Sequence, residues 1–178
     1  MTELMLKAIK TAAFASEETH CYSARLYLRG KPAAEMRNEG RGGPDFIDPI
    51  GDWRGRADEL SAEIRADLEA TGYIENMEGE MREMGLPGYS AEGESGLALI
   101  EGWACEEINK HLMGKKLKSE MSRAAIIYHD GKLLTLKYHD RKKPDQRLFD
   151  SALEKRPSAK ILNLLPFAEA LAIFRKAA

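Results

Sequence analysis

The sequence is poor in cysteine, with two residues, Cys21 and Cys105, among 178. Neither belongs to a CxxC or another metal-spaced pattern, which excludes a disulfide framework and a zinc ribbon. Both are expected to be reduced and partly buried, as in a cytosolic chain. Long apolar runs are also missing. No window approaches about 18 uninterrupted apolar residues, which excludes a membrane-spanning helix. Lys7 and Lys10 interrupt the first 14 residues, which excludes a secretory h-region. Net charge is small, −2, so no global field draws the chain to nucleic acid or to an anionic membrane.

Catalytic signatures are scarce in the same way. There is no HExxH, no GxSxG around Ser16, Ser90 or Ser95, and no GK[ST] or GxGxxG loop. His129-Asp130 and His139-Asp140 are neighbours, but adjacent strand residues face opposite sides, so each Asp is read as a turn former. Glu17-Glu18 is read as a polar turn. No catalytic residue, cofactor or metal ligand is expected.

What is present suffices for a fold. Hydrophobic residues make up 43% of the chain, enough to build a core. The chain is read as one α+β domain over 1–178. An antiparallel N-terminal meander and a later β-hairpin enclose a helical, acidic, insertion-like segment at 53–113. The run Met5–Ala15 mixes alternating and continuous apolar positions and is read as a strand, with a helix left open. In Cys21–Leu28, Tyr22, Ala24, Leu26 and Leu28 share one face, and Cys21, Ser23, Arg25 and Tyr27 the other. Arg29-Gly30-Lys31 is a tight turn, and Ala33–Asn38 returns. Asn38–Asp52, rich in Gly, Pro and Asp, is read as a loop.

Leu60, Ile64 and Leu68 mark a helix capped by Asp52 or Asp58 and stopped by Gly72. A shorter helix spans Glu75–Met84. Ser95 caps a long helix from Gly96 to about Met113, which Gly114 ends. Ala124–Tyr128 and Leu133–Tyr138 flank an Asp130-Gly131 hairpin turn. Short helices follow at Asp145–Glu154 and Phe167–Lys176, with an apolar run of open type at Ile161–Leu165.

Charge is segregated. Asp58 to Glu107 holds about 14 acidic residues against Arg65 and Arg82, whereas Lys110 to Lys160 holds about 14 basic against six acidic. Three readings compete. The two regions simply solvate their own surfaces; or an acidic face made by Glu59, Glu63, Asp67, Glu69, Glu75, Glu78, Glu80 and Glu83 docks on a basic protein surface, with Met77, Met81, Leu86 and Tyr89 holding the contact; or Lys115, Lys116, Lys118, Arg141, Lys142 and Lys143 bind nucleic acid. The loop Gly40-Arg41-Gly42-Gly43 is either a sharp turn or a phosphate cradle, although Pro44 removes one donor.

Three stretches, Ser16-Glu17-Glu18-Thr19, Asn38 through Gly43, and Ile161 through Phe167, resemble small proteins carried by bacteriophages and prophages. The acidic middle lies outside that resemblance. The resemblance implies no catalytic residues. It implies a genomic setting in which small proteins bind and block a host protein or nucleoprotein complex in the bacterial cytoplasm. The leading expectation is therefore a non-enzymatic inhibitor of a host complex, of anti-CRISPR or other anti-defence type, acting through the acidic helices without a membrane. The alternatives are a nucleic-acid-binding protein using the basic C-terminal half, and an enzyme of unfamiliar type near Gly40–Gly43.

Overall fold

The computed structural model describes residues 3–86, 89–138 and 146–177. The chain divides into two compact units, Met1–Ile108 and Asn109–Ala178. The class is α+β, with an antiparallel meander first, acidic helices next and a hairpin-based sheet last.

The first unit is built on four antiparallel strands in sequential order: β1 (Leu4–Thr11), β2 (Tyr22–Leu28), β3 (Lys31–Asn38) and β4 (Phe46–Pro49). In β2 and β3, Tyr22, Ala24, Leu26, Leu28, Ala34 and Met36 are buried, while Ser23, Arg25, Glu35 and Arg37 are exposed. This is the period of two expected when one sheet face meets the core and the other meets water. The β2–β3 turn uses Arg29 and Gly30, both at positive φ, whose twist matches the flanking strands.

β1 explains its own mixed pattern. Its register with β2 shifts between Lys7 and Lys10, where Ala8 has φ 53°. Such a bulge inserts a residue and reverses the alternation, so Lys7 and Lys10 emerge on the same outer face. They oppose Arg25 and Ser23 respectively. Ala13–Ala15 then closes as a 3-10 turn rather than continuing the strand.

The expected loop Asn38–Asp52 contains β4, which pairs with β3 from Ala34↔Pro49 to Arg37↔Phe46. Pro44 and Pro49 hide it in the sequence. A strand only four residues long at the sheet edge tolerates a proline because one side of its backbone needs no partner.

Helix α1 (Ala57–Ala70) buries Leu60, Ile64 and Leu68. It begins at Arg56 with no side-chain cap, so neither Asp52 nor Asp58 caps it; Asp58 and Glu59 instead sit in the first turn, where the helix dipole favours negative charge. Gly72, at φ 73°, separates α1 from α2 (Tyr73–Glu83). Ser95 Oγ accepts the Ala98 N–H at 3.1 Å and caps α3 (Gly96–Met121). Gly96 has no room for a side chain: a Cβ there would lie 2.0 Å from the Ser61 carbonyl of α1.

α3 does not stop at Gly114. That glycine is buried, and a Cβ on it would meet Phe167 and Leu171 at 3.7 to 3.9 Å. These are ordinary contact distances; the helix runs on through Gly114 to Met121, so the glycine does not act as a stop signal.

The second unit holds a three-stranded antiparallel sheet ordered β6-β5-β7, with β5 Ala124–His129, β6 Lys132–Lys137 and β7 Lys160–Ile161. Central β5 is buried on both faces. Ala124 and Ile126 join Leu117, Leu162, Ala170 and Phe174 on one side. Ala125 and Ile127 join Phe149, Ala152, Ala159 and Ile161 on the other. Helix α4 (Gln146–Lys155) supplies Phe149 and Ala152, and α5 (Phe167–Ala177) supplies Ala170 and Phe174.

Asn163 fastens this unit. Its Oδ1 accepts the Ile126 N–H at 2.8 Å, and its Nδ2 donates to the carbonyls of Ala124 and Met121 and to the Tyr138 hydroxyl. The apolar run Ile161–Leu165 is thus the end of β7 followed by a 3-10 turn that carries this asparagine.

Among the described residues no helix is long and apolar enough to cross a membrane. Neither cysteine is in a disulfide; Cys21 is half-buried, and Cys105 is exposed rather than partly buried as expected.

Candidate functional site

Two of the distinctive sequence stretches converge. The Gly40 carbonyl accepts the backbone N–H groups of Glu17, Glu18 and Thr19 at 2.9 to 3.4 Å. Gly40 sits at φ 84°, and a Cβ there would lie 2.1 Å from the Ala15 carbonyl oxygen. Gly42, at φ 77°, lies against the end of the Glu18 side chain, a neighbour that can move aside where the Ala15 carbonyl cannot. Buried Asn38 completes the lock: its Oδ1 accepts from the Gly40 N–H and the Thr19 hydroxyl, and its Nδ2 donates to the Gly43 carbonyl and Asp45 Oδ1. The Tyr22 hydroxyl donates to Asp45 Oδ2. The Gly40 N–H therefore points at Asn38, and the Gly42 N–H at Thr19. A phosphate cradle would need those donors facing outward.

Beside this lock lies a small cavity of about 180 Å3, bordered by Tyr22, Asp45, Glu101 and Cys105. Burial pushes the Tyr22 phenol well above its usual range, and the bond to Asp45 raises it further. Burial also raises the Glu101 carboxyl, opposed by a hydrogen bond with the Asp45 backbone and aided by the Asp45 charge. Tyr22 consequently stays a hydrogen-bond donor at neutral pH and is unsuited to act as a base. Among the described residues, no three or more His, Cys, Asp or Glu side chains gather as metal ligands.

The acidic helices are partly answered by arginines of their own unit. Glu59 pairs with Arg56, and Glu63 with Arg29, which also holds Glu3. Glu69 pairs with Arg65 at 2.8 Å. Glu78 faces Arg82 at 3.9 Å and accepts the Ala91 N–H at 2.8 Å. Asp67 is buried and accepts the Glu3 N–H at 2.9 Å, so it serves the fold. Tyr89 donates to Glu94. Glu75, Glu80 and Glu83 remain exposed on α2 around a shallow depression of about 650 Å3, which Tyr73 and Glu106 also border. Burial and then the charge of Glu106 hold the Tyr73 phenol above its ordinary value. Just beyond α2, Met84 and Leu86 are 67% and 54% exposed.

Of the basic residues, Lys115, Lys116 and Lys118 are exposed on the second half of α3. Lys116 lies over the Phe174 ring and Lys118 over Phe167. Arg141, Lys142 and Lys143 lie outside the described residues, as does His139-Asp140.

His129 and Asp130 do approach one another. Positive φ at Asp130 swings its carboxylate to 3.3 Å from His129 Nε2, while Ser158 Oγ lies 3.4 Å from Nδ1. The Asp130 side chain is 81% exposed, so water screens the contact, and the pair makes a turn, as expected.

A further surface escaped the sequence reading. The outer face of the four-stranded sheet aligns Lys10, Ser23, Arg37 and Phe46 in one cross-strand row and Lys7, Arg25, Glu35 and Asp48 in the next. Lys7 Nζ sits 4.3 Å above the Tyr27 ring, and the Arg37 guanidinium 4.9 Å from the Phe46 ring. The alternation of β2 announced Arg25 and Tyr27. The bulge at Ala8 and the hidden strand β4 concealed the rest.

Comparison of the chain with protein-family models, curated proteins and solved structures finds no match.

Proposed function

We propose that this is a non-enzymatic binding protein whose α2 face docks on a basic protein surface. The observation that carries this is the pairing of two features at one place. Exposed carboxylates Glu75, Glu80 and Glu83 run along α2, and the exposed apolar side chains of Met84 and Leu86 follow directly. Apolar anchors rimmed by charge of one sign suit a protein contact: the anchors hold the complex, and the charges speed encounter and fix orientation.

The carboxylates of α1 contribute less. Glu59, Glu63 and Glu69 already face arginines, and Asp67 is inside. In this proposal the chain acts as a mobile-element inhibitor of a host complex, of anti-defence type, and the partner presents lysines and arginines. The internal hydrogen bonds of Gly40 and Gly42 favour a structural part for that loop over a catalytic one. Affinity purification from a bacterial host tests the proposal, with the wild-type chain compared against Glu75→Lys, Glu80→Lys and Glu83→Lys combined.

A further inference from the structure

We infer that the outer face of the N-terminal sheet binds single-stranded nucleic acid, through its phosphates and the faces of its bases. This surface is separate from the α2 carboxylates, and the inference does not depend on them.

Three observations carry it. First, the face is open: Lys7, Lys10, Ser23, Arg25, Arg37 and Phe46 are all exposed, while the opposite face holds the core. Secondly, it is concave. One depression of about 520 Å3 is bordered by Lys10, Arg25, Arg37 and Phe46. A neighbouring one is bordered by Lys10, Arg37 and Arg41. The two share Lys10, Ser23 and Arg37, so they form one trough crossing the strands.

Thirdly, the chemistry of the trough suits a polyanion with aromatic faces. Arg25 is neutralised by Glu35 at 2.9 Å. Lys10, Arg37 and Arg41 then outnumber Asp48, on the edge strand, and Glu39, beyond the end of β3, and Lys7 adds its charge to the same face beside Arg25. A chain with net charge −2 therefore carries a positive excess on this one face. Phe46 is 50% exposed, on the edge strand at the end of the Lys10, Ser23, Arg37 row. With Arg37 beside it, the ring offers a base one aromatic and one guanidinium plane to stack on. Stacking platforms combined with cations that follow the backbone are how single strands are held without regard to sequence. A duplex hides its base faces and gains only the phosphate contacts.

The test is fluorescence anisotropy of the full chain with labelled oligo-dT and oligo-rU of about 15 nucleotides, within the site sizes of single modules. Binding at low salt is expected. The slope of log K against log salt should be about −2 to −3, as three or four phosphate contacts require. A blunt duplex should bind at least about tenfold more weakly. Phe46→Ala, and Lys10→Ala with Arg37→Ala, should each weaken binding by about tenfold or more. Phe46→Trp should restore it, and the folded state of each variant is verified by circular dichroism. Lys115→Ala, Lys116→Ala and Lys118→Ala combined should bind as the wild type.

Three results would overturn the inference. One is the absence of binding at low salt. Another is an unchanged Phe46→Ala variant together with polyglutamate competing as well as the oligonucleotide, which would assign the face to acidic peptides. The third is loss of binding in the α3 lysine variant alone, which would move the site to the second unit.

Discussion

The hydroxyl of Thr19 donates to Asn38 Oδ1 at 2.8 Å, a bond between residues 19 positions apart. It joins the turn before β2 to the last residue of β3. The same oxygen of Asn38 also accepts the Gly40 N–H at 2.8 Å. The unusual Asn38–Gly43 stretch is therefore half of a two-loop lock whose other half is Ser16–Thr19.

The lock is sensitive at one glycine and indifferent at another. Gly40→Ala would place a methyl 2.1 Å from the Ala15 carbonyl oxygen at φ 84°. It should destabilise the fold by about 2–4 kcal/mol, combining left-handed strain with overpacking. At Gly43 an added methyl would meet nothing within 4 Å, and φ is not positive, so Gly43→Ala should stay within about 0.5 kcal/mol. Urea denaturation of the two variants measures the contrast.

Asn163→Leu should cost about 2–4 kcal/mol. The substitution keeps the approximate volume but strands the Ile126 N–H and the carbonyls of Met121 and Ala124. Hydrogen exchange checks the location of the damage: protection should fall at Ile126 and its neighbours in β5 while the β2–β3 amides of the first unit hold theirs.

Acid should weaken the second unit through His111. Its Nε2 is buried with no hydrogen-bond partner among the described residues, and burial, with Lys115 and Lys118, holds the imidazole below its ordinary value. The unfolded chain binds this proton near pH 6.5, whereas the folded chain resists it to lower pH. Stability is thus intact above the unfolded value and declines as pH falls through it. His111→Leu should flatten this part of the stability profile between about pH 7 and 5, measured by thermal melts across that range. An unchanged slope would place the acid sensitivity elsewhere.

What the sequence disclosed follows from where one face alone is buried. β2 and β3 could be read because every second residue enters the core. β1 was blurred because Ala8 reverses its alternation in mid-strand. β4 was silent, since its pairing depends on β3 and prolines flank or end it. Gly114 has a stop signal's identity, yet α3 runs on through it to Met121.

The candidate surfaces divide in the same way. The Arg56–Glu59, Arg65–Glu69 and Arg82–Glu78 pairs are local helix spacings. The Arg29–Glu63 contact and the burial of Asp67 arise only when α1 meets the sheet edge. Lys10, Arg37 and Phe46 become neighbours only through strand register, which no run of residues spells out.

Docking through α2 is tested most directly by a paired affinity purification at two ionic strengths. The wild-type chain is compared with Glu75→Lys, Glu80→Lys and Glu83→Lys combined, and bound host proteins are quantified by mass spectrometry. These three side chains are exposed, so the variant should keep its fold. The predicted result is a basic partner retained by the wild type, weakened by added salt and lost from the variant. Equal recovery of that partner on both chains would contradict the assignment of α2 as the docking face.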